Sequence, residues 1–384
     1  LKLPAFFAHR EGLPVADHLP FPAHIHQPLK RVWVLWCYVI LWAAVIGIAA
    51  LLLLQGFLML EKVATNIVPG IWLLPLVLAG AFAAWQLWKK GPLAKLAARL
   101  VYSITGMPLG VEGALLKMAA LLRLPRSFSE AEKDVVMVSL LAAGIAAWFG
   151  TPLAAVALVY FVITRRRSGY VLAAALTGAA LHYAWFGMPV YSPLKWPGPE
   201  ATGVYTLLGL LLGVMSAVMV RAVQALNAVS GGFLSVAAAI TVGVMVWLKP
   251  VLFGPGMGVA QQVLLMKDVT LLLLMNVGLY KLITVIAAAG ARIPGGIITP
   301  LMAAGAANGL LTALWLQSIF SDTPLDPRMA AVVGVAALLG GVTRLPLMAM
   351  IFALEISCQP AAIVPILLAT LASYALSAVF LRRL

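Results

Sequence analysis

Charge is what this sequence has least of. Of its 384 residues only 10% are Asp, Glu, Lys or Arg, where a soluble globular chain carries roughly a quarter, so a fully water-exposed surface cannot be built from it. Acid is scarcer than base, with 12 Asp and Glu against 26 Lys and Arg. Cysteine is nearly missing. Cys37 and Cys358 lie in or near apolar segments without disulfide or metal-ligand spacing, which reads as packing. HExxH and GxSxG elements are absent, and a lone glutamate offers no partner base, nucleophile or metal set. No enzyme and no cofactor are expected.

What fills the chain is hydrocarbon. Hydrophobic residues make up 63% of it, and the mean hydropathy is +1.05. A hydrocarbon layer of about 30 Å takes roughly 20 helical residues to cross. The runs Val32 to Leu60, Ile71 to Trp88, Val135 to Ile163, Val204 to Val223, Leu271 to Ala289 and Ala330 to Leu354 are of that order. They predict an all-α integral membrane protein of roughly ten spans, some broken, with the lipid bilayer as its surroundings.

The formal net charge of +14 does not point to nucleic acid, because the basic residues fall in short groups at span ends. Arg165 to Arg167, Lys89 with Lys90, and Arg382 with Arg383 follow spans directly. The positive-inside rule puts these sites in the cytoplasm. Lys30 and Arg31 place the N-terminus there too, so both termini are expected on the cytoplasmic face of an inner (plasma) membrane. Residues 1–28 carry His9, His18, His24 and His26 among prolines, in no common ligand spacing and without a signal-peptide core. They read as an unstructured cytoplasmic tail.

Residues 29–384 then read as one transmembrane domain. Gly106, Pro108, Gly110 and Gly113 interrupt an apolar stretch after WKKGPLAK, and IPGGIITPLMAAG does the same from Ile293 to Gly305. Such interruptions predict helices broken in mid-membrane, tolerated where the backbone lines a cavity or is buried in protein. Each break is followed by a related segment, AGIAAWFGTPLAAVALVYFVI in the first half and ALLGGVTRLPLMAMIFALEI in the second. Setting Pro152 against Pro346 puts Leu153 opposite Leu347 and Ala155 opposite Ala349. The pattern points to inverted repeats of about 29–187 and about 203–384 with a site at their interface. Chance likeness of two Ala- and Gly-rich helices is the competing account. Gly187 to Ala201, with four prolines, reads as a non-cytoplasmic loop, and His182 before it as facing a neighbouring helix.

Most acids fall in tails or loops: Glu11, Asp17, Glu130, Glu132, Asp134, Glu200, Asp322 and Asp326. Glu61 and Asp268 sit beside a lysine at span ends, which leaves Glu112 and Glu355 in apolar surroundings. A carboxylate there is costly and is by default a functional hypothesis. Glu112 lies in the glycine-broken GMPLGVEGALL, where backbone amides at a helix N-terminus can receive an anion. Beside such amides a carboxylate is a tethered anion, able to fill the site and to leave on protonation; a snorkelling interfacial glutamate is the alternative. Glu355 reads as a helix-end or structural carboxylate. In the second break Gly295 and Gly296 permit close approach, Pro300 sets the turn, and the amides of Ile297, Ile298 and Thr299 are expected to face the cavity. Neutral donors suit a chloride-like anion, which they stabilise without trapping.

At these residues the sequence resembles the CLC family of chloride channels and transporters. GMPLGVEGAL is similar to the family's GREGP element, with Glu112 at the gating glutamate. IPGGIITP is similar to its GxFxP element, with Gly296, Ile298 and Pro300 in place. GGVTRLPLMAMIFALEIS and AAGIAAWFGTPLAAVALVYFVI look like its later and earlier long helices, and the likeness runs from about Val32 to Val379. The resemblance implies a CLC-like inverted-repeat bundle and a homodimer with a pore in each subunit. It also implies anion coordination by amides of Ile297 and Ile298 centrally, and of Val111, Gly113, Gly296 and Thr299 around Glu112. Departures are as specific: Val111 stands for the arginine of GREGP, Ala114 for its proline and Ile298 for the phenylalanine. The serine-bearing GSGIP element has no counterpart. The pore tyrosine's helix is expected beyond Leu384, with Tyr374 in the helix before it, and no acid stands near Ile163 or Thr164, where the antiporters carry an inner proton-relay glutamate.

These features together predict transport of a small inorganic anion through a CLC-like pore gated by Glu112, channel-like or with altered proton coupling. A fluoride/proton or chloride/proton antiporter is the alternative within transport. A transport-inactive membrane scaffold or regulator is the alternative of another class.

Overall fold

The computed structural model of the protein describes residues 32–66, 70–122, 124–162, 168–188, 193–229 and 233–382. The expected tail at 1–28, Lys30, Arg31, the 165–167 arginines, Ile163, Thr164, Pro189 and Arg383 lie outside the described residues. The first helix, α1 (Val32–Asn66), has 35 residues and is therefore about 52 Å long, more than a bilayer core requires. Then come α2 (Gly70–Trp88), α3 (Pro92–Ile104), α4 (Glu112–Leu121), α5 (Glu130–Phe149), α6 (Pro152–Val162) and α7 (Ser168–Phe186). The second half has α8 (Gly198–Ala228), α9 (Phe233–Leu248), α10 (Met257–Leu264), α11 (Leu271–Met275) and α12 (Lys281–Gly290), joined by a π-helical turn at Asn276–Tyr280. It ends with α13 (Ile298–Ile319), α14 (Pro327–Thr343), α15 (Pro346–Ser357) and α16 (Ile363–Arg382). Among the described residues there is no β-strand, and six helical stretches are long and apolar enough to cross a membrane.

Two expected single runs are each two helices. Val135 to Ile163 breaks at Gly150 (φ 72°) and Ala330 to Leu354 at Arg344 (φ 63°). A proline opens the helix that follows each, where its missing N–H leaves nothing unpaired. The expected loop from Gly187 to Ala201 is helical from Gly198. Packing repeats in the two halves: α1 lies on α5 and α7 as α8 lies on α14 and α16, while α5 meets α7 as α14 meets α16. Small residues permit these approaches. A Cβ at Gly213 on α8 would stand 2.8 Å from the Ser373 carbonyl oxygen on α16, and one at Gly178 on α7 would overlap that of Ala143 on α5. Helices α5 and α14 are buried along nearly their whole length.

Three placements differ from expectation. Glu132 and Asp134 are buried on α5 rather than in a loop. Ser129 and Glu132 close a reciprocal capping box there, which satisfies two of the helix's orphan donors. Cys37 and Cys358 are exposed rather than packed in the core. Glu61 is buried, and is taken up below.

Candidate functional site: two helix breaks that meet at Glu112

Helix α3 ends in a turn at Gly106 (φ 101°), a conformation that glycine adopts without steric cost. The chain then bends at Pro108, where Leu109 N–H donates to Met107 O at 2.8 Å, and Ser103 Oγ donates to the Leu109 carbonyl at 3.0 Å. The break before α13 comes to the same place. Gly110 N–H donates to Gly296 O at 2.7 Å and Gly296 N–H to Gly110 O at 2.9 Å, so one residue from each half pairs with the other in an isolated antiparallel bridge. This juxtaposition aims the N-termini of α4 and α13 at common ground.

Glu112 opens α4 and is 7% exposed. Its Oε1 accepts from the Thr299 N–H at 3.0 Å and from Thr299 Oγ1 at 2.9 Å. The carboxylate thus sits on the first turn of α13, whose N–H groups have no partners inside the helix and carry the positive end of its dipole. Oε2 is buried with no hydrogen-bond partner among the described residues. Gly110 and Gly296 leave the room: a Cβ on Gly110 would come within 2.6 Å of the Glu112 carboxyl carbon, and one on Gly296 would overlap the carboxylate.

The other expected donors divide. Val111, Gly113 and Thr299 are buried and Ile297 and Ile298 partly buried, all at the first turns of α4 and α13. Gly296 differs, because its N–H is given to Gly110; its part is to join the breaks and make room for Glu112, not to offer a free amide. Glu355 lies elsewhere, accepting from the Leu153 and Ala154 N–H groups at 2.8 Å each and so capping the N-terminus of α6. His182 packs under Gly150, with Nδ1 2.7 Å from Ala147 O, against the end of α5 as expected.

Glu61 was expected at a span end beside Lys62. Instead it is 7% exposed, accepts from Gly258 N–H at 3.2 Å at the start of α10, and feels the charge of Lys281. Lys281 is 1% exposed and donates to the carbonyls of Leu252 and Gly254. The only sequence signal for this pair was a lysine inside an apolar run.

Residues 77–378 match the family model described as voltage gated chloride channel. The chain belongs to this CLC family. It is 28% identical over 314 residues to a ClcB-like chloride channel protein of Ralstonia nicotianae, covering 73% of this chain and 70% of that one. It is 26% identical over 302 residues to the H(+)/Cl(-) exchange transporter ClcA of Vibrio vulnificus, covering 70% of this chain and 62% of that one, so it spans less than two thirds of that relative. Among solved structures, a CLC-type fluoride/proton antiporter superposes with a TM-score of 0.71 at 16% identity, over 92% of this chain and 98% of that one. A slow cyanobacterial Cl-/H+ antiporter gives 0.69 at 17% identity, over 90% and 97%. At such identities the likeness is one of fold. With the family established, the multi-pass membrane placement and the all-α inverted-repeat architecture stand, and the family's business is moving anions across membranes.

Proposed function

We propose that this protein carries a small, chloride-like inorganic anion across the membrane and that Glu112 is the gate of its pathway. The observation that carries this reading is the Glu112 carboxylate held by the Thr299 N–H and hydroxyl at the N-terminus of α13. A carboxylate in that position is an anion on a tether. When it leaves, the Thr299 amide is released to an entering anion together with the amides of Ile297, Ile298, Val111 and Gly113. Protonation favours departure, because a neutral carboxyl is held less strongly by N–H donors and by the helix dipole. Around this pathway we place a homodimer with one pore per subunit, in an inner membrane, with both termini cytoplasmic and the repeats bounded near 29–187 and 203–384.

A proton-exchanging mode is the second reading, favoured by the Vibrio relatives, which are named H(+)/Cl(-) exchange transporters. Purified protein in liposomes separates the two when chloride and fluoride fluxes are measured with and without a proton gradient. Under the gate reading, E112Q keeps anion flux, loses its pH dependence and moves no protons. An E112Q protein with unaltered rate, pH response and proton movement would put the gate elsewhere.

A further inference from the structure

The Glu112 site does not account for a group of cations on the neighbouring helices. Lys95 and Arg99 lie one turn apart on α3, and Lys117 stands on α4, the helix that Glu112 opens. Arg99 is 5% exposed, yet its Nε and Nη1 have no hydrogen-bond partner among the described residues. Arg99 and Lys95 both bear electrostatically on Lys117. The Trp88 ring lies under Arg99 at 4.9 Å and under Lys95 at 5.6 Å. That contact orients the cations without giving the guanidinium N–H groups an acceptor. No acid pairs with any of the three among the described residues.

Guanidinium is charged at every physiological pH. Burying it with N–H groups unpaired is unfavourable, and the like charges of Lys95, which shares the Trp88 ring with it, and of Lys117 add to that cost. A small anion resolves both costs. It accepts from Nε and Nη1 and offsets the mutual repulsion of the cations. Along the chain the cluster is close to the proposed gate. Arg99 is one turn before Ser103, whose hydroxyl bonds Leu109, and Leu109 adjoins the Gly110 that pairs with Gly296.

We infer that Arg99, with Lys95 and Lys117, forms a second binding position for a small inorganic anion, on the α3–α4 side of the Glu112 gate. As a step in permeation it rests on the proposed anion pathway; as a binding site it does not. A phosphate-bearing lipid headgroup has related chemistry, but the near-complete burial of Arg99 favours a free ion over a headgroup anchored in the bilayer.

The test uses the full chain with bromide as the probe. Anomalous diffraction from crystals grown in bromide is expected to show a peak within hydrogen-bond reach of Arg99. R99M should lose that peak and keep any peak near Thr299. In liposomes R99M is expected to raise the KM for chloride roughly tenfold, the scale of one charged hydrogen bond, with less effect on the maximal rate; R99K restores part of the affinity. Neutral and anionic lipids should give the same result. No peak at Arg99 in the wild-type protein overturns the proposal. So does a peak with unchanged KM in R99M, which would mark an adventitious ion only, and so does density that appears only with anionic lipid, which would be a headgroup. If R99M cannot be purified, the wild-type map and the KM of K117M decide. Failure of the gate reading is distinguishable, since an E112Q protein with unaltered flux leaves the Arg99 peak in place.

Discussion

Gly296 controls how near the Glu112 side chain can lie to α13. A methyl group there would collide with the carboxylate, and its nearest contact with the Glu112 Cβ would be 2.9 Å, too close for the carboxyl to move aside alone. G296A is therefore expected to expel Glu112 while leaving its charge intact, and its flux should resemble that of E112A, faster and less sensitive to pH. A G296A flux indistinguishable from wild type would contradict the close approach. The buried Glu61 and Lys281 give a second expectation at this scale. Lys281 Nζ donates to the Leu252 and Gly254 carbonyls, so K281M, which leaves both buried acceptors unpaired, should lower the melting temperature, while E61Q, which keeps an acceptor for the Gly258 N–H, should lower it less. The place of Glu112 at a helix break was legible from sequence because glycines interrupt the apolar run around it. Glu61 was not: it stands beside Lys62, as an interfacial acid would, and the Gly258 N–H that donates to it lies 197 positions further along the chain.

Among elements, the short helices that follow breaks depend on acceptors and donors from the other half. Helix α6 starts without a side-chain cap of its own and receives Glu355 from α15. E355A is expected to cost about 1–2 kcal/mol, as loss of a cap does, read as a lower unfolding midpoint in detergent, while E355Q retains part of the capping. The α8–α16 contact is set by size, because Gly209 and Gly213 lie against the backbone of Ala369 and Ser373. G213L should force the helices apart and lower stability by about 1–3 kcal/mol or more, visible in the same melt. Broken mid-membrane elements could be read from glycine and proline. The breaks at Gly150 and Arg344 were harder to see, because apolar residues continue on both sides and hydropathy averages over a turn. The π-helical turn at Asn276 left no mark in the residue pattern, since it is decided by packing against α13, where Asn308 donates to Gly278 O at 2.7 Å.

At the scale of the molecule, the two halves repeat one packing scheme and meet beside Glu112 at the Gly110–Gly296 bridge, with a further backbone bond from Gly254 N–H to Gly106 O. The proposed topology predicts that a cysteine placed at Lys89 reacts with a membrane-impermeant reagent in inside-out vesicles and is shielded in intact cells; the opposite pattern would invert the orientation. The fold was legible because span lengths, interruptions and the order of the motifs agree. Which amides stay free was not, because it depends on the pairing of Gly110 with Gly296, residues far apart in the chain. That pairing also bears on speed. Two backbone hydrogen bonds back to back latch the halves together beside the proposed gate, so swinging one half against the other must first break both. The cheaper movement is rotation of one side chain about its own bonds. Under the proposed gate, turnover is expected to be paced by rotation of the Glu112 side chain, a turnstile on a fixed post, rather than by the microsecond-to-millisecond rocking of whole domains.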